Sequence, residues 1–597
     1  MCQYLSLLKA ASGLVSFILI ILFFSACKND PNYAEKKQPN IVLIVTDDQA
    51  YGDLSFTNNP IVKTPAIDLL AKEGAFAENF YVSPVCAPTR ASILTGRYHQ
   101  RTGVTGVTRG RENMNLDETT LADILKSQGY TTGIFGKWHN GAHYPYHPLG
   151  RGFDKFTGFT SGHWTNYFNT TIEKNGKEFK TVGYLTDVLT NEATDFISEN
   201  NKEEQPFFCY IPYQTPHTPL QVPDKYFDKY KAKGIDDFNA SIYGMIENID
   251  DNVEKVIRKL DEFGIRENTI IIFMSDNGPL NFRYNAGLKG KKGGIDEGGV
   301  KVPFIINWKG KIYANTTISK PLAHIDILPT LLDLMDIEHS FENNIDGVSF
   351  NALLKGENNF PDRKLFTEWN SKKRVRSNDF LLINEALFNL KSDPSQSINI
   401  REQFPTIFDS LNNAYNKWYT SVKPTEITKR IPIGYNDYPN TTLPAHEANL
   451  HPSFEFRKDR KHTGIAYHSL YGWAHDWIDF WTKPTAYATW DIDVVETGDY
   501  EIKLKYALNK ENVGVELLVE IDNQRLSISD LEPFEHGSFK NYDRIKRDQE
   551  APEADWNMVS VGKFHLSKGD KTLKIKSAKI PGKKSIELKD IIISRLK

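Results

Sequence analysis

Cysteine, net charge and apolar runs of membrane-spanning length are all scarce in this sequence. Four cysteines in 597 residues imply no disulfide framework. A net charge of −4 argues against a general polyanion binder and against a nucleic-acid partner, so any attraction for an anionic ligand must be local to a site. The uncharged run Gly13 to Phe24 is short for a membrane span. Against these absences stand 40% hydrophobic and 12% aromatic residues, ample for packed cores, in a chain long enough for more than one domain.

The apolar runs that are present end in chemistry. Ile41 to Val45 is continuous and β-branched, as expected of a strand buried on both faces of a parallel sheet, and it ends in Thr46-Asp47-Asp48. Thr131 to Phe135 leads into Gly136-Lys137-Trp138-His139. Gln205 to Tyr213 leads into Gln214-Thr-Pro-His217, and Thr269 to Met274 into Ser275-Asp276-Asn277. In a doubly wound α/β sheet, ligands sit at the carboxyl ends of the strands. Four such clusters are therefore expected to converge on one edge. The adjacent carboxylates Asp47 and Asp48 repel one another, and with Asp276 and Asn277 they suit a hard cation bound by oxygen. Helices are expected from Thr64 (as N-cap, with Pro65 at the first position) to Gly74, over Thr119 to Gln128, and over 242–263. Cys209, inside an apolar strand, reads as a core filler.

Ser83 to Arg97 is the stretch around which these clusters group. Pro88 suits the first turn of a helix, Ala91 to Leu94 continue it, and Gly96 caps its C-terminus. Cys86 falls just before the helix, where free N–H groups and the dipole favour an anion, and Arg90 lies one turn later, able to point back toward it. Cys86-x-Pro88-x-Arg90 with Leu94-Thr-Gly-Arg97 resembles the signature of type I sulfatases. So do Gly136-Lys-Trp-His139, Gly150-Arg-Gly-Phe-Asp154, His324 to Leu334, Asp346-Gly-Val-Ser349 and Leu387 to Pro394.

The resemblance spans 38–420. It implies an α/β, alkaline-phosphatase-like fold: a central, mostly parallel sheet flanked by helices, with a small C-terminal subdomain. It implies further that a formylglycine-generating enzyme oxidises Cys86 to formylglycine, whose hydrate is the nucleophile. Asp47, Asp48, Asp276 and Asn277, with residue 86, would hold one Ca²⁺. Lys137 and Lys292 would bind sulfate oxygens, with Lys289 and Lys291 as close competitors for the second place. Arg90 would orient the hydrated aldehyde, and His217 would contact the ester and protonate the leaving oxygen. His139 would help expel sulfate from a covalent sulfo-enzyme. His143, His147, His163 and Trp164 sit in an aromatic, His-rich stretch suited to binding sugar.

Other readings stay beside this one. A phosphodiesterase or phosphonate hydrolase of the same superfold would be expected to show Asp-His where this chain has Asp276-Asn277. A catalytically dead glycan-binding lipoprotein would lack motif residues, and none is missing. Residues 1–26, ending in Ser25-Ala26 before Cys27, resemble a bacterial lipoprotein signal with lipid on the Cys27 thiol. That resemblance implies a tether at 27–37 and attachment to the cell envelope, on its periplasmic or its outer face. Residues 421–460, rich in Pro and Asn, read as a linker. From 461 to 597 the pattern turns to short alternating strands, such as Ala488 to Val494 and Tyr500 to Tyr506, expected to form a β-sandwich similar to galactose-binding-like carbohydrate modules. Most of its tryptophans (Trp473, Trp477, Trp481, Trp490 and Trp556) are expected in its core, with sugar stacking as the alternative use. An export signal joined to such a module suits degradation of sulfated polysaccharide, with algal polymers such as ulvan, galactan or fucoidan favoured over host glycans.

Overall fold

A computed structural model describes residues 38–424, 430–452, 463–547 and 549–596. The expected signal, tether and Cys27 lie outside the described residues. From Asn40 onward the described chain is one compact unit.

At its centre are four apolar strands running parallel. Asn40–Thr46 pairs with Phe207–Pro212 on one side and Thr269–Ser275 on the other, and Thr131–Lys137 pairs with the outer edge of Phe207–Pro212. Lys155–Phe159 extends this parallel block, while Phe304–Asn307 and the Thr171–Lys174/Lys177–Lys180 hairpin add antiparallel strands, and Ala75–Ala77 with Thr316–Ile318 complete a mixed ten-stranded sheet. Period-two alternation sends successive residues to opposite faces. Ile41, Leu43 and Val45 pack with Ala87, Ala91, Leu121 and Leu328 on one side. Val42 and Ile44 pack with Ile67, Leu70, Ile197 and Val253 on the other. Both faces are thus covered by helices, which is why the central strands carry no polar alternation.

The helix expected after Thr64 is Pro65–Lys72, but Thr64 does not cap it. Its hydroxyl is turned to Asp68 (2.9 Å), and the free amides of Ala66 and Ile67 instead donate to Asp250, at 3.1 and 2.9 Å, on the helix Asp237–Glu262. A carboxylate supplied from a neighbouring helix does the work of a local cap. The helix carrying Cys86 begins at Cys86 itself, one residue earlier than expected, with extended Val85 as its N-cap; Gly96 closes it at φ 68°. Close backbone approach fixes Gly136: a Cβ there would lie 2.1 Å from the Pro212 carbonyl oxygen, so only glycine lets the strand reach Lys137 in register. Four antiparallel strands from Leu365–Trp369 to Ala386–Asn389, backed by helix Pro405–Val422, form the small subdomain.

The C-terminal region is two antiparallel-rich sheets whose inner faces share one core. Trp490, Ile492 and Ile575 of one sheet meet Ile502, Leu504 and Ile591 of the other. Tyr487–Val494 alternates half-buried and buried residues along its whole length, as a sandwich strand should. Trp477, Trp481 and Trp490 are buried, so these three serve packing. The expected linker is corrected. Within 421–460, Ile431–Ile433 and Asn449–His451 pair with Tyr487–Val494, and Asn440–Pro444 pairs with Glu587–Arg595, so the sandwich begins near residue 431. Pro432 and Pro444 masked these strands in the sequence; prolines are tolerated there because, among the described residues, each strand has an unpaired side. Trp490→Ala should cost about 3–5 kcal/mol, from a void plus the lost Nε1 donation to the Pro444 carbonyl (2.9 Å), read as a lowered midpoint in denaturant unfolding.

Candidate active site

The four expected clusters meet. The strands Thr131–Lys137, Phe207–Pro212, Asn40–Thr46 and Thr269–Ser275 are consecutive in the sheet and parallel, so their C-terminal ends share one edge. Asp47 and Asp48, Lys137 and His139, His217, and Asp276 and Asn277 all follow from those ends. The first turn of the Cys86–Thr95 helix is set among them: the Cys86 thiol and carboxylate oxygens of Asp47 and Asp276 lie within 4.8 Å of one another.

The site is a network of three acids and three cations, all buried except the half-buried Lys292. Arg90, fully buried, donates from Nε (3.0 Å) and Nη2 (2.7 Å) to Asp276 Oδ2, and from Nη1 to the Lys137 carbonyl (3.0 Å). Lys137 Nζ lies 2.7 Å from Asp47 Oδ2, and Lys292 Nζ 2.7 Å from Asp48 Oδ1. This placement separates Lys292 from its competitors: Lys289 lies toward Asp296 (3.8 Å) and Lys291 over the Phe282 ring (5.2 Å). Burial pushes the Asp47 carboxyl up, but Lys137, with His217, Lys292 and Arg90, outweighs it and holds the group well below the usual range. For Asp276, burial and then the charge of Asp47 win over Arg90, and its carboxyl is pushed up to about 7.

Three buried side-chain oxygens here accept no hydrogen bond among the described residues: Asp47 Oδ1, Asp48 Oδ2 and Asn277 Oδ1. Orphaned buried oxygens are costly. An all-oxygen set made mostly of carboxylate is the donor chemistry of a hard divalent cation, so the residues present fit one.

Both histidines have defined tautomers. His139 Nε2 lies 2.9 Å from the Val107 carbonyl, which can only accept, so Nε2 carries the hydrogen and buried Nδ1 is left as an unpartnered acceptor. Burial, then Lys137, holds His139 well below the usual imidazole range, hence neutral. His217 Nδ1 lies 2.7 Å from the Thr218 carbonyl, which leaves Nε2 facing Asp48 Oδ2 at 3.9 Å.

The expected sugar-binding residues divide. His163 is buried with its ring parallel to that of His217, centroids 6.2 Å apart, and joins the site. His143, His147 and Trp164 instead line a cleft of about 440 Å³ walled on its other side by Tyr435, Tyr438, Glu447 and His475 of the sandwich. There His143 Nε2 is held by Glu447 (3.0 Å), and His147 caps a short 3₁₀ turn. Sequence reasoning missed the sandwich's approach to this region. His475 Nε2 sits 2.8 Å from Ser161 Oγ, and Glu553 accepts from Asn166 Nδ2 at 2.7 Å. These residues come from irregular segments that show no periodicity.

Arg90→Met should cost about 3–5 kcal/mol in denaturant unfolding of the metal-free protein, because it strips a buried carboxylate of its cation. A loss below about 1 kcal/mol would show that Arg90 does not neutralise Asp276.

Comparison with known proteins identifies the family. Residues 39–337 match the family model for sulfatases. The sulfatase YdeN of Escherichia coli K12 is 31% identical over 54% of this chain and 67% of its own length. An ulvan-active sulfatase of Formosa agariphila is 28% identical over 68% of this chain and 85% of its own. The crystal structure of Ps i-CgsB in complex with k-i-k-neocarrahexaose superposes with a TM-score of 0.62 at 30% identity, covering 66% of this chain and 95% of that one. From fold, site and sequence together, the chain belongs to the sulfatase family and is a sulfuric ester hydrolase.

Proposed function

We propose that this enzyme removes sulfate esters from a sulfated polysaccharide or its oligosaccharides, with residue 86 working as formylglycine beside one Ca²⁺. The observation that carries the reading is the set of unpartnered oxygens of Asp47, Asp48 and Asn277 around the buried start of the Cys86 helix. Asp47, Asp48, Asp276, Asn277 and residue 86 would hold the ion. When present, the hydrated aldehyde supplies a hydroxyl nucleophile, and the cation offsets charge on the sulfate.

The chain's own residues do the rest. Lys137 and Lys292 bring two ammonium groups to the strand ends, where they bind sulfate oxygens. Arg90 is a fixed cation beneath residue 86, locked by Asp276 and the Lys137 carbonyl. These charges are already oriented, so little reorganisation is needed as charge shifts toward the leaving oxygen. In its imidazolium form His217 offers the Nε2–H to the sugar oxygen as the proton donor, with the Nδ1–H held by the Thr218 carbonyl. His139, neutral with Nδ1 bare, is the proton acceptor on the nucleophile's side.

The substrate class is drawn from relatives. One is named for activity on ulvan, and a second was solved with k-i-k-neocarrahexaose. Both favour a sulfated algal polymer. We propose further, from the signal-like residues 1–26 that end before Cys27, that lipid on Cys27 holds the enzyme on the bacterial envelope.

Co-expressed with a formylglycine-generating enzyme, the protein should release free sulfate from at least one of ulvan, carrageenan or fucoidan oligosaccharides. It should turn over aryl sulfate faster than aryl phosphate, and Cys86→Ala should abolish both sulfate activities. Full activity in that variant would refute the mechanism. Ca²⁺ at a hundred times its dissociation constant should stabilise the fold by about 2.7 kcal/mol, read by thermal unfolding, and Asp47→Asn should remove most of that shift. Labelled fatty acid should enter the protein in a bacterial host, and Cys27→Ser should prevent it; equal labelling of the two would rule out the anchor.

A further inference from the structure

The β-sandwich reaches the site through the segment between its strands Gln524–Ile528 and Asn557–Leu566. This segment lies along the loop that carries His217. The Arg544 amide donates to the Leu220 carbonyl (2.9 Å), and Gln221 Nε2 donates to Asp543 Oδ1 (2.7 Å). One contact falls beside the histidine itself. The Thr218 hydroxyl lies 2.6 Å from Glu550 Oε1 and 3.2 Å from His217 Nδ1.

A hydroxyl has one proton, and an ionised carboxylate can only accept. Thr218 therefore donates to Glu550 and offers a lone pair to His217. The Thr218 carbonyl, 2.7 Å from Nδ1, makes the same demand. Both acceptors require the hydrogen on Nδ1, which leaves Nε2 as the atom turned to the site. Tyr167 Oη donates to the same carbonyl (2.8 Å) and steadies the turn from the other side.

We propose that Glu550 is a positioning residue for His217, acting through the Thr218 hydroxyl, so that the accessory sandwich completes the proton-donating arm of the active site. The inference rests on His217 serving as donor to the leaving sugar oxygen. As the S–O ester bond breaks, its electron pair goes to that oxygen, which takes the Nε2 proton of the His217 imidazolium and leaves the neutral Nδ1–H ring that both acceptors favour. Glu550 lies outside residues 39–337, so the matched family model does not reach it. A carboxylate that orients an imidazole through its second nitrogen recurs in hydrolytic triads; here a hydroxyl stands between the two.

The test uses leaving-group dependence, which a general clamp would not alter selectively. Glu550→Ala and Thr218→Val are compared with wild type on the sugar sulfate that wild type turns over fastest, and on 4-nitrophenyl sulfate, whose leaving group departs without a proton. kcat/KM should fall about tenfold or more on the sugar sulfate and by no more than about twofold on the aryl ester. The double variant should be no worse than either single one. Equal losses on both substrates, or none on the sugar sulfate, would overturn the proposal. If wild type bearing formylglycine turned over neither ester, the sulfatase reading of the site would fail first. Imidazole ¹⁵N spectra, with the His217 signals assigned by His217→Gln, would then decide. A hydrogen on Nδ1 in wild type and its loss in Glu550→Ala uphold Glu550's role; a neutral ring protonated on Nε2 alone in wild type, or no change in the variant, refutes it.

Discussion

Three carboxylates brought together out of water at the ends of neighbouring strands are the constraint on which the rest of the structure depends. Left alone, Asp47, Asp48 and Asp276 would repel one another in a low-dielectric site, where the interaction is many times stronger than in water. The fold answers with one cation for each: Lys137 on Asp47, Lys292 on Asp48 and Arg90 on Asp276. Each cation arrives from a different element, so the charges can be matched only when sheet, helix and loop are all in place. The orphaned oxygens show that the match is incomplete, and the shortfall is what a bound metal would fill. Stability and function thus make competing demands on the same atoms, since a fully satisfied network would leave nothing to bind a cation.

Backbone geometry follows from the same demand. Lys137 can reach Asp47 because Gly136 lets its strand press against the Pro212 carbonyl, and Gly158 on the next strand presses in turn on Gly136. His139 adopts φ 61° and Asp48 φ 66°, both in the left-handed region. Such conformations cost energy in residues with a Cβ, and they persist only where the surroundings fix them. For His139 the fixing contact is the Val107 carbonyl, which also sets its tautomer.

Much of this was legible in the sequence, for a physical reason. A strand covered on both faces cannot carry polar residues, so Ile41–Val45 and Thr269–Met274 stand out, and the first polar residues after them mark the sheet edge. The start of the Cys86 helix was read to within one residue. Choosing among Lys289, Lys291 and Lys292 was harder, because that loop has no period and only the fold shows which ammonium reaches Asp48. The edge strands near 431–451 were read as a linker because proline, a breaker inside a sheet, is harmless where no neighbour needs its N–H. Thr64 is a locally sensible cap displaced by Asp250, some 180 residues away in sequence. Long-range substitution of that kind leaves no local trace.

The same reasoning explains why the sandwich's part in the site was invisible. Sequence patterning reports burial, and the sandwich's alternating strands announced its core. The residues it turns toward the catalytic half, among them His475, Asp543, Glu550 and Glu553, lie in irregular segments and bond to loops rather than to strands. A domain that only tethered the enzyme to glycan would gain nothing from contact with the loop bearing His217. Direct hydrogen bonds to Thr218 and Gln221 and to the backbone of Leu220 couple the position of that loop to the docking of the sandwich. The cleft between the two halves, with Tyr144 stacked on Tyr438 at 4.2 Å, makes the junction a surface built by both. Separating the halves would therefore change the catalytic half itself, because part of its active-site wall belongs to the sandwich.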